Sequence, residues 1–560
     1  MTIALLPKGT AVGELAEAGM SPGLLSAGLG SVLAEQTYLD VTQGNRVFDS
    51  LYDSPLPAHV GGGMCGPSYS PAAIARAESA PAEIVPGLLA ATLHRAGEGC
   101  RVREVDLRTL AAMVRALRGD DLLIAFERAP PAKNGSLAIG VAGEGFDGDL
   151  TSDSTRTDGY VLATDIAPTI LTRLGIPVPA AMSGQSIRAG GGVDVGAVEA
   201  LGERMAVISA RRGPVIGVSL LVWLLVLGVT TALARGRTAR FGVELMALSV
   251  IYLPLVLLVA AIGRPSEEVE RLLALALPPL LGLFTMRRLD GYRPLAFASG
   301  IVVVAYALDV VTGSHLTSLS LLGPNPGLGV RFYGIGNELE ALLAVLVVAG
   351  TGAALAAWRP ALDGRRAAAV FLVAGLATAL VFAAGRFGAD VGAAIVLPIG
   401  AAAAAARVAS PRRGAAILVV AASLAVVALV ALIDLASGAN AHLTRTVLDA
   451  GGLGDLGDVA QRRLRLSAHS FTRPILLAFL PLLVACAALA LARRDSIRSW
   501  LRGAPALRAG LLGALAATVA GTLANDSGAL VLEVGCAYLL AFIGFAWAEG
   551  TGRSSTLRVS

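Results

Sequence analysis

The stretch that decides the fold runs "PVIGVSLLVWLLVLGVTTALARGRTAR", from Pro214 to Arg240. Its first part, residues 214–234, carries no charge. At about 1.5 Å per helical residue it is long enough to cross the roughly 30 Å hydrocarbon core of a bilayer. Arg235, Arg237 and Arg240 follow at once. An apolar run closed by arginines is the pattern of a spanning helix that ends at a cytoplasmic surface.

Toward the C-terminus the pattern repeats. Apolar runs near 214–234, 241–262, 270–286, 294–312, 333–357, 367–384, 389–406, 414–436, 474–492, 508–524 and 528–548 predict about eleven spans. The run 270–286 is short and holds Pro278 and Pro279, but the arginines support it. Alternate connections carry Arg287, Arg288 and Arg293; Arg359, Arg365 and Arg366; Arg407, Arg412 and Arg413; and Arg493, Arg494, Arg498 and Arg502. Deleting one span would put the next cluster on the wrong side. These connections are expected in the cytoplasm, together with the tail 549–560, and everything before the first span is expected outside.

Composition agrees with a multi-pass plasma-membrane protein. Of 560 residues 55% are hydrophobic and only 15% charged, with a mean hydropathy of +0.69. A soluble domain uses about 25% charged residues, so a soluble globular chain and a disordered one are excluded. Four cysteines in the whole chain exclude a disulfide scaffold. The formal net charge of +4 comes largely from arginines that set orientation, so no nucleic-acid partner is expected.

Toward the N-terminus the hydrophobicity breaks up. Short strand candidates such as "DLLIAF" (121–126) and "LAIGVA" (137–142) alternate with helix candidates such as "VPGLLAATLHRA" (85–96) and "LRTLAAMVRALRG" (107–119). That alternation predicts a soluble α/β domain over 1–213 with a mainly parallel sheet. An all-α polytopic membrane domain follows over 214–548. No strand is expected before Met20, and "MTIALLPKGTAVGEL" lacks the charged start and continuous apolar core of an export signal. The chain is therefore expected to be N-terminally short, or its α/β domain to be degenerate. Cys65 and Cys100 can pair if this domain is extracytoplasmic, whereas Cys486 and Cys536 read as small residues within spans.

Ionisable residues inside spans are expensive and mark candidate sites. Asp309, Glu338, Glu340, Asp390, Asp434, Asp526 and Glu533 fall toward the outer ends of their spans; Glu244 is the exception. Three segments stand out. In "LLGPNPGLGVRFYGIGNELEALLAV", a Pro/Gly loop brings Arg331, Tyr333, Asn337, Glu338 and Glu340 to the head of a span. Asn337 and Glu340, three apart, share a helix face. In "AGRFGADVG", Arg386 and Asp390 are four apart and are expected on one helical face. In "LANDSGALVLEVG", Asn525 and Asp526 mark a tight break, with Glu533 two turns below.

A long outer connection, 437–473, adds His442, Arg445, Arg462, Arg463, Arg465, His469 and Arg473. Its stretch "GDVAQRRLRLSAHSF" has the pattern of an amphipathic helix on the membrane surface. Arginine's planar fork suits phosphate. The candidate catalytic residues are thus Glu338, Glu340, Asp390 and His469. The candidate substrate-binding residues are Arg331, Tyr333, Asn337, Arg386, Arg462, Arg465, Asn525 and Asp526. Helix caps, intramembrane pairs and a sealing interfacial helix are the simpler alternatives for the same residues.

Two resemblances bear on these segments. "TDIAPTILTRLGIPVPAAMSGQSI" (164–187) resembles the closing segment of the alkaline phosphatase and sulfatase superfamily, and the likeness implies an alkaline-phosphatase-like α/β fold. Active members use a Ser or Thr nucleophile and two metal ions held by Asp and His residues. Here His59 and His94 have no metal-ligand spacing, Thr42 in "YLDVTQGNR" is the nearest candidate nucleophile, and no early strand supplies the family's Asp. Neither metal nor other cofactor is expected.

The order "GVRFYGIGNELEALLA" (329–344), "GRFGADVGAAI" (385–395) and the loop after Asp434 resembles the O-antigen ligase and polymerase superfamily of membrane glycosyltransferases. The sequence departs from it where Glu338 follows Asn337 in place of a Pro-Asn, and where Gly385 replaces a usual Ser. The likeness implies a bacterial cell-envelope protein acting on a polyprenyl-phosphate-linked glycan at the extracytoplasmic face. Its partners would be that lipid-linked substrate and membrane lipids. A transporter or flippase with a carboxylate relay is the first alternative. A phosphoethanolamine-transferase-like protein with an inactive or truncated phosphatase-like domain is the second.

Overall fold

The computed structural model describes residues 1–66, 68–131, 135–233, 236–409, 467–472 and 474–556. The chain divides into two compact units, Met1–Ala210 with Pro324–Phe332, and Arg211–Gly323 with Tyr333–Ser560. The first is α/β and the second helical.

The α/β unit is built on a six-stranded mixed sheet in the order β3-β1-β4-β5-β2-β7. Its strands are β1 (Thr2–Leu6), β2 (Ser21–Ser26), β3 (Arg101–Glu104), β4 (Leu123–Glu127), β5 (Leu137–Ala142) and β7 (Tyr160–Leu162). β1 runs parallel to β3 and β4, and β2 parallel to β7. β5 is antiparallel to both neighbours, so it alone runs against the rest and the other carboxyl ends share one edge. A small ribbon pairs β6 (Asp149–Thr151) with β8 (Arg188–Gly190).

The central strands are buried on both faces, so they read as continuous apolar runs and not as alternating ones. Ile124, Phe126, Leu137, Ile139 and Val141 are all at most 1% exposed. The helices α1 (Val12–Glu17), α2 (Ala34–Gln43), α3 (Pro71–Glu78), α4 (Leu88–Arg95), α5 (Leu107–Ala116) and α6 (Ile166–Arg173) accompany the sheet. Cys65 and Cys100 form a disulfide.

β1 corrects the expectation that no strand precedes Met20. Its five residues, "TIALL", have no turn signal before them and look too short in sequence to count. Pairing on both sides gives the strand its place, and Ile3 and Leu6 are at most 1% exposed. It leads into Pro7 and Lys8, not into an acidic residue.

α7 (Val195–Leu233) is 39 residues long and runs through Pro214. The expected boundary at 213/214 falls inside it, because a proline removes one helical hydrogen bond and can kink a helix without ending it.

In the helical unit follow α8 (Arg237–Gly263), α9 (Glu267–Arg288), α10 (Arg293–Val311), α11 (His315–Leu319), α12 (Asn337–Trp358), α13 (Gly364–Ala383), α14 (Val391–Val408), α15 (Pro474–Ala492), α16 (Arg494–Trp500), α17 (Pro505–Ala524) and α18 (Gly528–Thr556). Among the described residues nine helices, α7 to α10, α12 to α14, α17 and α18, are long and apolar enough to cross a membrane. α9 keeps its helix through Pro278 and Pro279. The expected run 414–436 and the amphipathic stretch up to Leu466 lie outside the described residues.

α12 is the central element: 72% of its apolar window is buried, against 17% for α7, whose Leu221, Leu224 and Leu225 are exposed. Small residues let the central helices touch backbone to backbone. A Cβ on Gly513 of α17 would lie 2.4 Å from the Gly400 carbonyl of α14. Dispersion at such close contacts, in place of the hydrophobic effect, holds helices together in lipid.

Candidate functional site

In the α/β unit, the segment 164–187 centres on Asp165. Its Oδ2 accepts from Ser152 Oγ (2.7 Å) and the Leu162 amide (3.0 Å). Its Oδ1 accepts from Ser154 Oγ (2.6 Å) and the Gln185 amide (2.9 Å). Burial pushes this carboxyl above its ordinary range, and the four donors pull against that shift. Every lone-pair direction is engaged, so Asp165 ties three loops together.

Thr42 is 1% exposed, donates to the Leu39 carbonyl and accepts from the Gly87 amide. Asp40, two residues earlier on α2, accepts from Gln36 and Gln43. Burial drives its carboxyl up to about 7 in spite of those amides and of Arg46 and Arg76. His59 and His94 are exposed. Among the described residues no three His, Cys, Asp or Glu side chains are grouped to hold a metal ion.

The helical unit gathers its polar residues at the heads of α12, α14 and α18. Asn337, the first residue of α12, donates to Asp526 Oδ1 (2.9 Å). One turn on, Glu340 Oε2 accepts from Asn525 Nδ2 (2.8 Å). Two residues at the α17–α18 break thus meet two residues on one face of α12, as their spacing of three requires. Glu340 and Asn525 are buried, at 2% and 5% exposure.

Asp390 caps α14 by accepting from the Ala393 amide and is itself 2% exposed. Its carboxylate stands beside that of Glu340. A Cβ placed on Gly392 would lie 2.3 Å from Glu340 Oε2 and 3.0 Å from Asp390 Oδ1. Two buried carboxylates therefore share the space left by one missing side chain. Both sit at helix N-termini, where the backbone dipoles favour negative charge.

The loop before α12 is fastened to the turn before α14 by the Ile335 amide donating to the Gly388 carbonyl (3.1 Å). The Gly334 amide donates to Ser314 Oγ. Arg386 lies exposed in this turn and Tyr333 is half-buried in the loop. Arg386 and Asp390 are not on one helical face, which corrects the expectation from their spacing. α13 ends at Ala383, before Arg386, and Asp390 starts α14 only as its N-cap, with a turn and the positive φ of Ala389 (+51°) between them.

Glu338, on the neighbouring face of α12, pairs with Arg212 at 3.0 Å. His469 is exposed in the short helical turn 467–470. That turn is anchored by Ser467 donating to the Thr522 carbonyl and by Ser470 accepting from the Ala529 amide, next to Asn525. Asp309 accepts from the Leu316 and Thr317 amides and so caps α11. Arg331 falls in Pro324–Phe332, which belongs to the α/β unit. Arg462 and Arg465 lie outside the described residues.

Sequence reasoning missed Arg212, Gly392, Ser314, Ser467 and Ser470. Arg211 and Arg212 carried a usable signal, since they stand at the carboxylate-rich end of a span whose other end bears the expected arginines. Both are paired, Arg211 with the fully buried Glu270 (3.5 Å). Neither a protein-family model, nor a curated protein, nor a solved structure matches the chain.

Proposed function

We propose that this is a membrane-embedded transferase of lipid-linked glycans whose reaction takes place at the heads of α12, α14 and α18. The observation that carries the reading is the buried carboxylate pair Glu340 and Asp390 around Gly392, with Asn525 orienting Glu340. Acidic groups buried among apolar helices are costly to keep and mark candidate sites. A site that must take up a proton offsets that cost.

In this reading Glu340 accepts the proton of an acceptor hydroxyl as its oxygen attacks the anomeric carbon. The bond from that carbon to the phosphate oxygen breaks, and its electron pair leaves with the polyprenyl diphosphate. Arg386 neutralises the leaving group. Asp390 holds the geometry of the base, and Asn337 and Asp526 fix the break beside it.

The carboxylate-rich end faces outward in this reading, with the arginine-rich connections and the C-terminal tail in the cytoplasm. The nine apolar helices, α15 and the run 414–436 make up eleven spans. The α/β unit is a non-catalytic relative of the alkaline phosphatase superfamily. Thr42 is engaged on both sides and β1 delivers Lys8 where an acidic ligand would be needed, which supports that view.

The test is product formation from a labelled polyprenyl-diphosphate-linked sugar. Glu340→Gln should lower turnover by about 10²–10⁴-fold, the usual contribution of a general base, with donor binding retained. Arg386→Ala should weaken donor binding. If wild-type protein forms no product but drives a proton-coupled flux that Glu340→Gln abolishes, the site belongs to a transporter.

A further inference from the structure

In an open α/β sheet, ligands settle outside the carboxyl ends of the strands. Beside β2 that place is taken by the chain itself. Within the α/β unit, Pro324–Phe332 is held through three consecutive kinds of contact to its main chain. Tyr160 Oη donates to the Pro326 carbonyl (3.2 Å), the Gly30 amide to the Leu328 carbonyl (2.8 Å), and Arg46 Nη2 to the Gly329 carbonyl (2.8 Å).

Two positions add side-chain selectivity. Phe332 is 5% exposed, packed edge-on against Tyr160 with ring centroids 5.6 Å apart, and covered by the Arg46 guanidinium at 5.6 Å. Gly329 has a φ of +70°, and a Cβ there would lie 1.9 Å from the Gly28 carbonyl. The edge thus reads the carbonyls of a short 3-10 turn, Pro326–Leu328, demands glycine at one position and an aromatic ring three residues later. That is the chemistry of peptide recognition, with donors to main-chain carbonyls for affinity and one anchor pocket for register.

We propose that this edge is a peptide-binding site whose ligand is the chain's own Pro324–Phe332, and that seating this segment is what the α/β unit does in the protein. Arg46 and Tyr160 are its positioning residues. The segment continues by a single peptide bond from Phe332 into Tyr333. This assignment concerns the α/β unit alone and does not depend on the chemistry proposed for the helical unit.

The experiment is hydrogen exchange on the full-length protein in detergent, reading the Gly30 amide and residues 326–332. Gly329→Val should expel the segment and speed exchange at Gly30 by at least about tenfold, with β4 and β5 unchanged. A synthetic peptide of sequence PNPGLGVRF should then restore protection at Gly30, and the same peptide with alanine in place of its phenylalanine should not. Arg46→Ala provides a second route to the same loss should Gly329→Val fail to fold. Wild-type protein whose Gly30 exchanges like an open loop, unchanged exchange in both variants, or failure of the peptide to restore protection would each overturn the proposal.

Discussion

Asp165 and Glu340 are acidic residues of almost equal burial, 0% and 2% exposed, and both stand at the start of a helix. Their surroundings differ in kind. Asp165 is met by two serine hydroxyls and two backbone amides from residues at most 20 positions away. Glu340 is met by an asparagine 185 residues away, with the carboxylate of Asp390 across an empty glycine position. A carboxylate surrounded by local donors is a structural fastener. Glu340 is instead held by contacts between helices distant in sequence.

Three measurements break or sharpen that contrast. The largest effect is expected from Asp165→Ala. It leaves two hydroxyls and two amides without an acceptor in a buried core, where each unsatisfied donor costs about 1–3 kcal/mol. The α/β unit should lose about 3 kcal/mol or more of stability, seen as a lowered first unfolding transition of the full-length protein. A variant as stable as the parent would mean that Asp165 is not a fastener.

Next in size is the pH response of Asp40, the other buried acid of this unit. Its carboxyl titrates near 3.8 when unfolded and about 7 when folded. Between those values the folded state holds more protons than the unfolded one, so stability is greatest below about 4 and falls as pH rises to about 7. The slope approaches at most about 1.4 kcal/mol per pH unit. Thermal unfolding of the α/β unit against pH should show it, and Asp40→Asn should flatten it. An unchanged slope in that variant would assign the response elsewhere.

The smallest effect is expected from Gly392→Ala. The added methyl meets Glu340 Oε2 at 2.3 Å and must push the carboxylate aside. Turnover should drop several-fold, about 1 kcal/mol of transition-state stabilisation, while Gly503→Ala, with nothing within 4 Å of its new methyl, should leave it unchanged. Equal rates for the two variants would show that the spacing of the carboxylates does not matter.

Much of this was legible in the residues. Apolar length and arginine placement located the helices, because a bilayer demands about twenty apolar residues and the connections sort by charge. The candidates Asn337, Glu340, Asp390, Asn525 and Asp526 stood out because acids and amides in apolar helices are rare. β1 was not legible, since five apolar residues become a strand only when two neighbours pair with them. Nor was Arg386 correctly placed: a spacing of four suggests a shared face only within one helix, and Arg386 lies in the turn between the end of α13 at Ala383 and the start of α14. Arg212 was overlooked because its partner Glu338 is 126 residues away.

The sequence by itself determined that the chain has an α/β part and a long series of apolar helices, and which polar residues lie near their ends. Those properties follow from local hydrophobicity and charge. The tertiary structure alone decided that Asn525 orients Glu340, that Glu340 and Asp390 share the gap at Gly392, and that Pro324–Phe332 packs with the α/β sheet. Each depends on which segments approach one another in space, through glycines that allow backbones to touch and through pairings of residues 50 or more positions apart, and no local pattern encodes that.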